Sequence, residues 1–115
     1  MIEKIILDYL NTKLSQTQIK AYMELPEGED PVTCVVIEKT GSSENNYLRS
    51  ATLAIQSYGT SLYEAASLNE MVKTFMEEAV SLSDVSKCKL NTDYVFNDVT
   101  RKRYRYQAVF EINHY

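Results

Sequence analysis

Between residues 61 and 79 the apolar side chains Leu62, Ala65, Leu68, Val72, Phe75, Met76 and Ala79 recur at helical spacing, whereas the stretches on either side alternate with a period of two. A period near 3.6 buries one stripe of a helix, and a period of two buries one face of a strand. The chain must therefore place one long helix among several strands. Ser61 and Glu64 stand at capping-box spacing at the head of the stripe, the serine positioned to accept a free helix N–H and the glutamate to reach back. A helix of about 20 residues, roughly 30 Å long, is expected to follow.

Ile2, Ile5, Ile6, Tyr9 and Leu10 fall on one face of a short amphipathic helix. Ile19, Ala21 and Met23 then alternate with Lys20, Tyr22 and Glu24 as in a half-buried strand, before Pro26, Gly28 and Pro31 favour turning over pairing. Residues 33–39 are rich in β-branched side chains and apolar on both faces, as in a central strand. Gly41 to Asn46 reads as a polar loop, and Leu48 to Tyr58 as a third strand with Ala51, Leu53 and Ile55 on its drier face. After a polar break at 81–86, Leu90, Thr92, Tyr94 and Phe96 alternate with Lys89, Asn91, Asp93 and Val95. The closing stretch sets Tyr104, Tyr106, Ala108, Phe110 and Ile112 against Arg103, Arg105, Gln107, Val109 and Glu111, with 97–102 as a hairpin loop. The predicted fold is α+β: one domain over residues 1–115, order α-β-β-β-α-β-β, an antiparallel sheet with helices packed on one face.

A chain of 115 residues with 44% hydrophobic and 24% charged residues can bury one core without a disulfide or metal staple. The net charge of −4 disfavours non-specific nucleic-acid binding, which needs surplus Lys and Arg to neutralise phosphates. No apolar run reaches the ~20 residues of a membrane helix and the start lacks a signal-peptide pattern, so a cytoplasmic protein is expected. Cys34 and Cys88 are far apart, outside any Cys-x-x-Cys spacing, and read as reduced structural thiols. Nine tyrosines and no tryptophan are the one compositional oddity, and tyrosine is enriched both in strands and at interfaces.

The residues for familiar catalysis are sparse. The one histidine, His114, stands beside the final residue, and Gly28, Gly41 and Gly59 are isolated from one another, so neither a triad nor a phosphate-cradling loop is expected. Glu24, Glu27, Glu29 and Asp30 could offer oxygen ligands to a hard cation, but the alternating ligand pattern of a calcium loop is absent and a solvated acidic turn is favoured. Asp93 and Asp98 could be imagined as an acid/base pair, yet a strand and a turn explain them. No enzyme activity, cofactor or metal is expected. Arg101, Lys102, Arg103 and Arg105 form the one basic cluster, interleaved with Tyr104 and Tyr106. In a strand these arginines point away from those tyrosines, which gives a solvated charged face or an interface with an acidic partner or with DNA passing nearby.

The whole order of elements, the length, and the stretches Tyr22 to Pro31, Val35 to Ser42 and Leu90 to Tyr106 resemble the small tail-terminator and tail-completion proteins of long-tailed bacteriophages and prophages. The resemblance covers nearly the full chain without a sharp motif. It implies a structural protein that forms a ring, typically of six copies, on the head-proximal end of the tail tube. Such a ring stops tube growth and joins the tube to the head connector. The implied partners are other copies of the chain, the tail tube protein and the head-tail connector, with DNA met only by passage through the ring lumen. The implied location is the host cytoplasm during assembly and then the virion tail. On this expectation Arg101, Lys102, Arg103 and Arg105 face a neighbouring subunit or the tube, and charge reversal at Arg103 and Arg105 weakens assembly while leaving the monomer folded. Two polar loops, with Glu27, Glu29 and Asp30 in one and Ser42, Ser43, Glu44, Asn45, Asn46 and Tyr47 in the other, contact the tube end or connector. The rival expectations are another joining component, such as a neck or head-completion protein, or a small binding domain for a peptide or metabolite between the second helix and the sheet.

Overall fold

The computed structural model describes residues 1–25, 33–45 and 47–115. In chain order it contains helix α1 (Ile2–Lys13), strands β1 (Ala21–Tyr22), β2 (Cys34–Asn45) and β3 (Leu48–Gly59), helix α2 (Leu62–Glu77) and strands β4 (Val85–Val95) and β5 (Tyr104–His114). A 3₁₀ turn at Glu78–Ser81 extends α2, so the helical stretch has the length its apolar stripe predicts. The five strands form one sheet in the order β1-β2-β3-β5-β4. The fold is α+β, with the elements in the expected order.

The sheet is mixed rather than antiparallel. β1 runs parallel to β2, with Ala21 beside Val35 and Tyr22 beside Val36, while every other neighbouring pair is antiparallel. Alternation of apolar residues states which face a strand buries and is silent about its direction, which is why this pairing is invisible in the sequence.

One apolar cluster joins both helices to one side of the sheet. Ile2, Ile6, Tyr9 and Leu10 of α1 and Leu68, Val72 and Met76 of α2 share it with Val35, Ile37, Leu53, Ile55, Ala108, Phe110 and Ile112 of the strands. The Tyr9 hydroxyl donates to the Phe75 carbonyl at 2.6 Å and ties the two helices together. Leu62, expected in the stripe, is instead 41% exposed, and Asn69 takes a buried place that the apolar spacing does not reveal.

The head of α2 is fixed as its capping residues predict, with one change. Ser61 Oγ accepts from the Glu64 N–H at 3.1 Å. The Glu64 carboxylate, however, reaches one residue further back to the Thr60 N–H at 3.1 Å, and it also accepts from the Thr33 and Thr60 hydroxyls. Those hydrogen bonds, led by that of Thr33, hold the Glu64 carboxyl below the usual carboxylate range. They fasten the start of β2 to the start of α2.

Three register shifts depart from simple alternation, at Lys39/Gly41 in β2 and at Val85/Lys87 and Leu90/Thr92 in β4. The last corrects the assignment of Leu90, Thr92, Tyr94 and Phe96 to one face. An extra residue at Asn91 leaves Leu90 paired with Phe110 on the helix side and turns Thr92 and Tyr94 to the other face, beside Val109 and Gln107. Asp93 and Val95 take the helix side in exchange, opposite Ala108 and Tyr106, with Val95 still 46% exposed near the strand's end.

Candidate functional site

The expected polar loop at 41–47 is a correction. Ser42, Ser43, Glu44 and Asn45 belong to β2 and pair in register with Ala51, Ser50, Arg49 and Leu48 of β3. The polar residues there extend a hairpin because backbone pairing, not side-chain burial, holds its end. Tyr47 completes the turn with φ at 67° and is 95% exposed, next to the exposed Leu48. A tyrosine in the left-handed region is strained, since its Cβ crowds the backbone. Tyr47→Gly should raise unfolding stability by about 1 kcal/mol, measured by chemical denaturation, while removing the most exposed ring at this end.

The basic cluster lies at the opposite end of the sheet. Arg49 pairs with His114 and Gly59 with Tyr104, so the turn that follows β2 and the turn that precedes β5 close the sheet at its two ends. The second turn is built around Asp98, whose side chain is only 7% exposed. Asp98 and Arg103 exchange backbone hydrogen bonds of 2.9 and 3.0 Å. Asp98 Oδ1 accepts from the Arg101 N–H at 3.1 Å, and Oδ2 lies 3.4 Å from Arg101 Nη1 and 3.8 Å from Arg105 Nη1. Burial pushes the Asp98 carboxyl up, but the Arg101 N–H and the two guanidinium groups outweigh it and hold it below the usual carboxylate range.

Arg105 is part of the fold rather than of a solvated face. Its side chain is 14% exposed, its Nε donates to the Phe96 carbonyl at 2.6 Å and its Nη1 to the Tyr58 hydroxyl at 2.9 Å. The guanidinium also stacks 4.3 Å from the Phe96 ring centre, and that of Arg103 lies 4.9 Å from the Tyr58 ring centre. The arginines do point away from Tyr104 and Tyr106, as strand geometry requires, but they meet the ring of Tyr58 in β3 and that of Phe96 just after β4. Charge reversal at Arg105 therefore tests folding as well as assembly. Lys102, with φ at 54°, and Val99, 83% exposed, form the outward part of this turn. Val95, Phe96 and Tyr104 are partly exposed around it.

Other candidates are dispersed. Asp93 faces α2, where it accepts from Asn69 at 2.9 Å and Lys73 at 3.1 Å, while Asp98 is held in the β4–β5 turn. The two carboxylates thus serve separate structural groups. Cys34 is buried in β2, and Cys88 is partly buried in β4, where burial pushes its thiol up to about 11. Glu27, Glu29, Asp30 and Asn46 lie outside the described residues. Among the described residues no group of three or more His, Cys, Asp and Glu side chains could hold a metal ion, and no helix is long and apolar enough to cross a membrane.

A groove of about 450 Å³ lies beside the second helix, between α2 and the segment before β1, lined by Gln18, Ile19, Thr33, Glu64, Ser67, Leu68 and Met71, none of which the sequence marks as a site residue. Met71, an apolar residue outside the helical stripe, is the sequence signal that could have found it, and the side chain is 37% exposed. Comparison of the chain with known protein families and with curated proteins gives no match.

Proposed function

We propose that this chain is a structural assembly protein of a long phage tail, forming a ring that caps the head-proximal end of the tail tube, stops its growth and joins it to the head connector. The observation that carries the proposal is the pair of exposed apolar turns at opposite ends of one sheet, Tyr47 and Leu48 at one and Val99 and Tyr104 at the other. Exposed apolar groups at two different ends of a small domain suit two different partners. A subunit with unlike surfaces joins head to tail, and such contacts close into a ring when their rotation permits. The resemblance of the sequence to tail-terminator proteins supplies the biological setting.

The two ends take two roles in this proposal. The β2–β3 turn with Tyr47 meets the tube end or the connector, and the β4–β5 turn meets the neighbouring subunit. The purified chain, added to polymerising tube subunits of the source phage, should bind one end of each tube and halt its growth, as seen by negative-stain microscopy. Tubes that grow on unbound would reject termination. Binding to preformed tubes without any effect on their growth would move the chain to the joining step.

A further inference from the structure

We infer that the Val99–Lys102 turn of one copy seats in the groove beside α2 of the next copy, Val99 against Ile19, Leu68 and Met71 and Lys102 toward the exposed Glu70 of α2. The inference rests on the ring proposed above and names the contact that would close it. The turn has the character of a preformed knob. Asp98, almost fully buried, binds the Arg101 N–H, and Asp98 and Arg103 pair through their backbones directly beneath the turn. A rigid element loses less freedom on docking than a flexible loop. It presents an exposed valine and an exposed lysine, an apolar tip with a basic shoulder.

The groove offers the complementary chemistry. Ile19, Leu68 and Met71 provide an apolar floor, and the Glu64 carboxylate stands at its side. Glu64 is the one carboxylate among the groove's lining residues, and Glu70, next to Met71 in the chain, is exposed on the outer side of α2. Glu70 is an exposed partner of Lys73 at 3.0 Å, a surface pair weak enough to be shared with an incoming ammonium. Placement fits as well. The groove adjoins β1 at one edge of the sheet and the turn issues from β4 and β5 at the other, so the contact joins unlike flanks and can repeat from copy to copy.

The test mixes full-length chains carrying Val99→Cys with chains carrying Met71→Cys under mild oxidation, with and without tail tubes, and follows size by light scattering. A disulfide joining positions 99 and 71 should form in the mixture about tenfold more than any cross-link in either chain alone. Lys102→Glu in the first chain should suppress it about tenfold, and Glu70→Lys in the second should restore it. Oligomers that assemble without the 99–71 link, or a link indifferent to Lys102→Glu, would overturn this contact and leave the ring standing. Absence of any oligomer, free or on tube ends, would overturn both.

Discussion

Gly59→Ala is expected to destabilise the protein by about 3 kcal/mol, enough to remove a large part of the stability of a domain this size. Gly59 is the last residue of β3 and is buried against the first turn of α2. A Cβ added there would lie 2.6 Å from the Ala65 nitrogen and 3.0 Å from the Glu64 carbonyl carbon, both backbone atoms that no rotamer change can move. Strand and helix would have to separate, loosening the Ser61 and Glu64 caps and the Thr33 link with them. Gly41 is the internal control, because a Cβ there meets nothing within 4 Å. Urea unfolding of Gly41→Ala should stay within about 0.5 kcal/mol of the parent. Equal effects from the two substitutions would show that the close approach at Gly59 is not what holds the strand end to the helix.

Arg105→Glu should cost about 3 kcal/mol or more, whereas Lys102→Glu, three residues away, should change stability by less than about 0.5 kcal/mol. The difference lies in what each side chain touches. Arg105 holds the Phe96 carbonyl, the Tyr58 hydroxyl and the Phe96 ring, and its charge helps to keep Asp98 ionised in a buried position. A glutamate there would leave Asp98 beside a second negative charge and strip two polar groups of their donor. The same coupling sets a pH dependence. The folded-state carboxyl of Asp98 is depressed, so its contribution is complete above the ordinary carboxylate value, about 4, and is lost as pH falls through the lower folded value. Asp98→Asn should flatten the acid limb of the stability curve. Thermal unfolding of the Arg105→Glu and Lys102→Glu chains at neutral pH separates a structural arginine from an exposed lysine; similar melting of both would refute the distinction.

Side-chain periodicity made most of this fold legible, because burial imposes it. The stripe from Ala65 to Ala79, the cap at Ser61, and the inward set Ala108, Phe110 and Ile112 are where the spacing places them. What stayed hidden depends on the backbone or on distant partners. The parallel pairing of β1, the bulge at Asn91 and the extension of β2 through Ser42 to Asn45 leave no apolar pattern to read. The basic run Arg101 to Arg105 was visible as charge, but its division into a packed Arg105 and an exposed Lys102 follows from Asp98, Tyr58 and Phe96, which only the folded sheet brings together. The groove beside α2 likewise draws Ile19, Thr33 and Met71 from three separate parts of the chain.

The central claim, that the chain caps the tail tube, is tested most directly by electron microscopy of particles made by the source phage or prophage with this gene removed. Headless tails of uncontrolled length are the predicted result. Tails of normal length detached from heads would assign the chain to joining rather than termination, and intact, infectious virions would contradict an assembly role altogether.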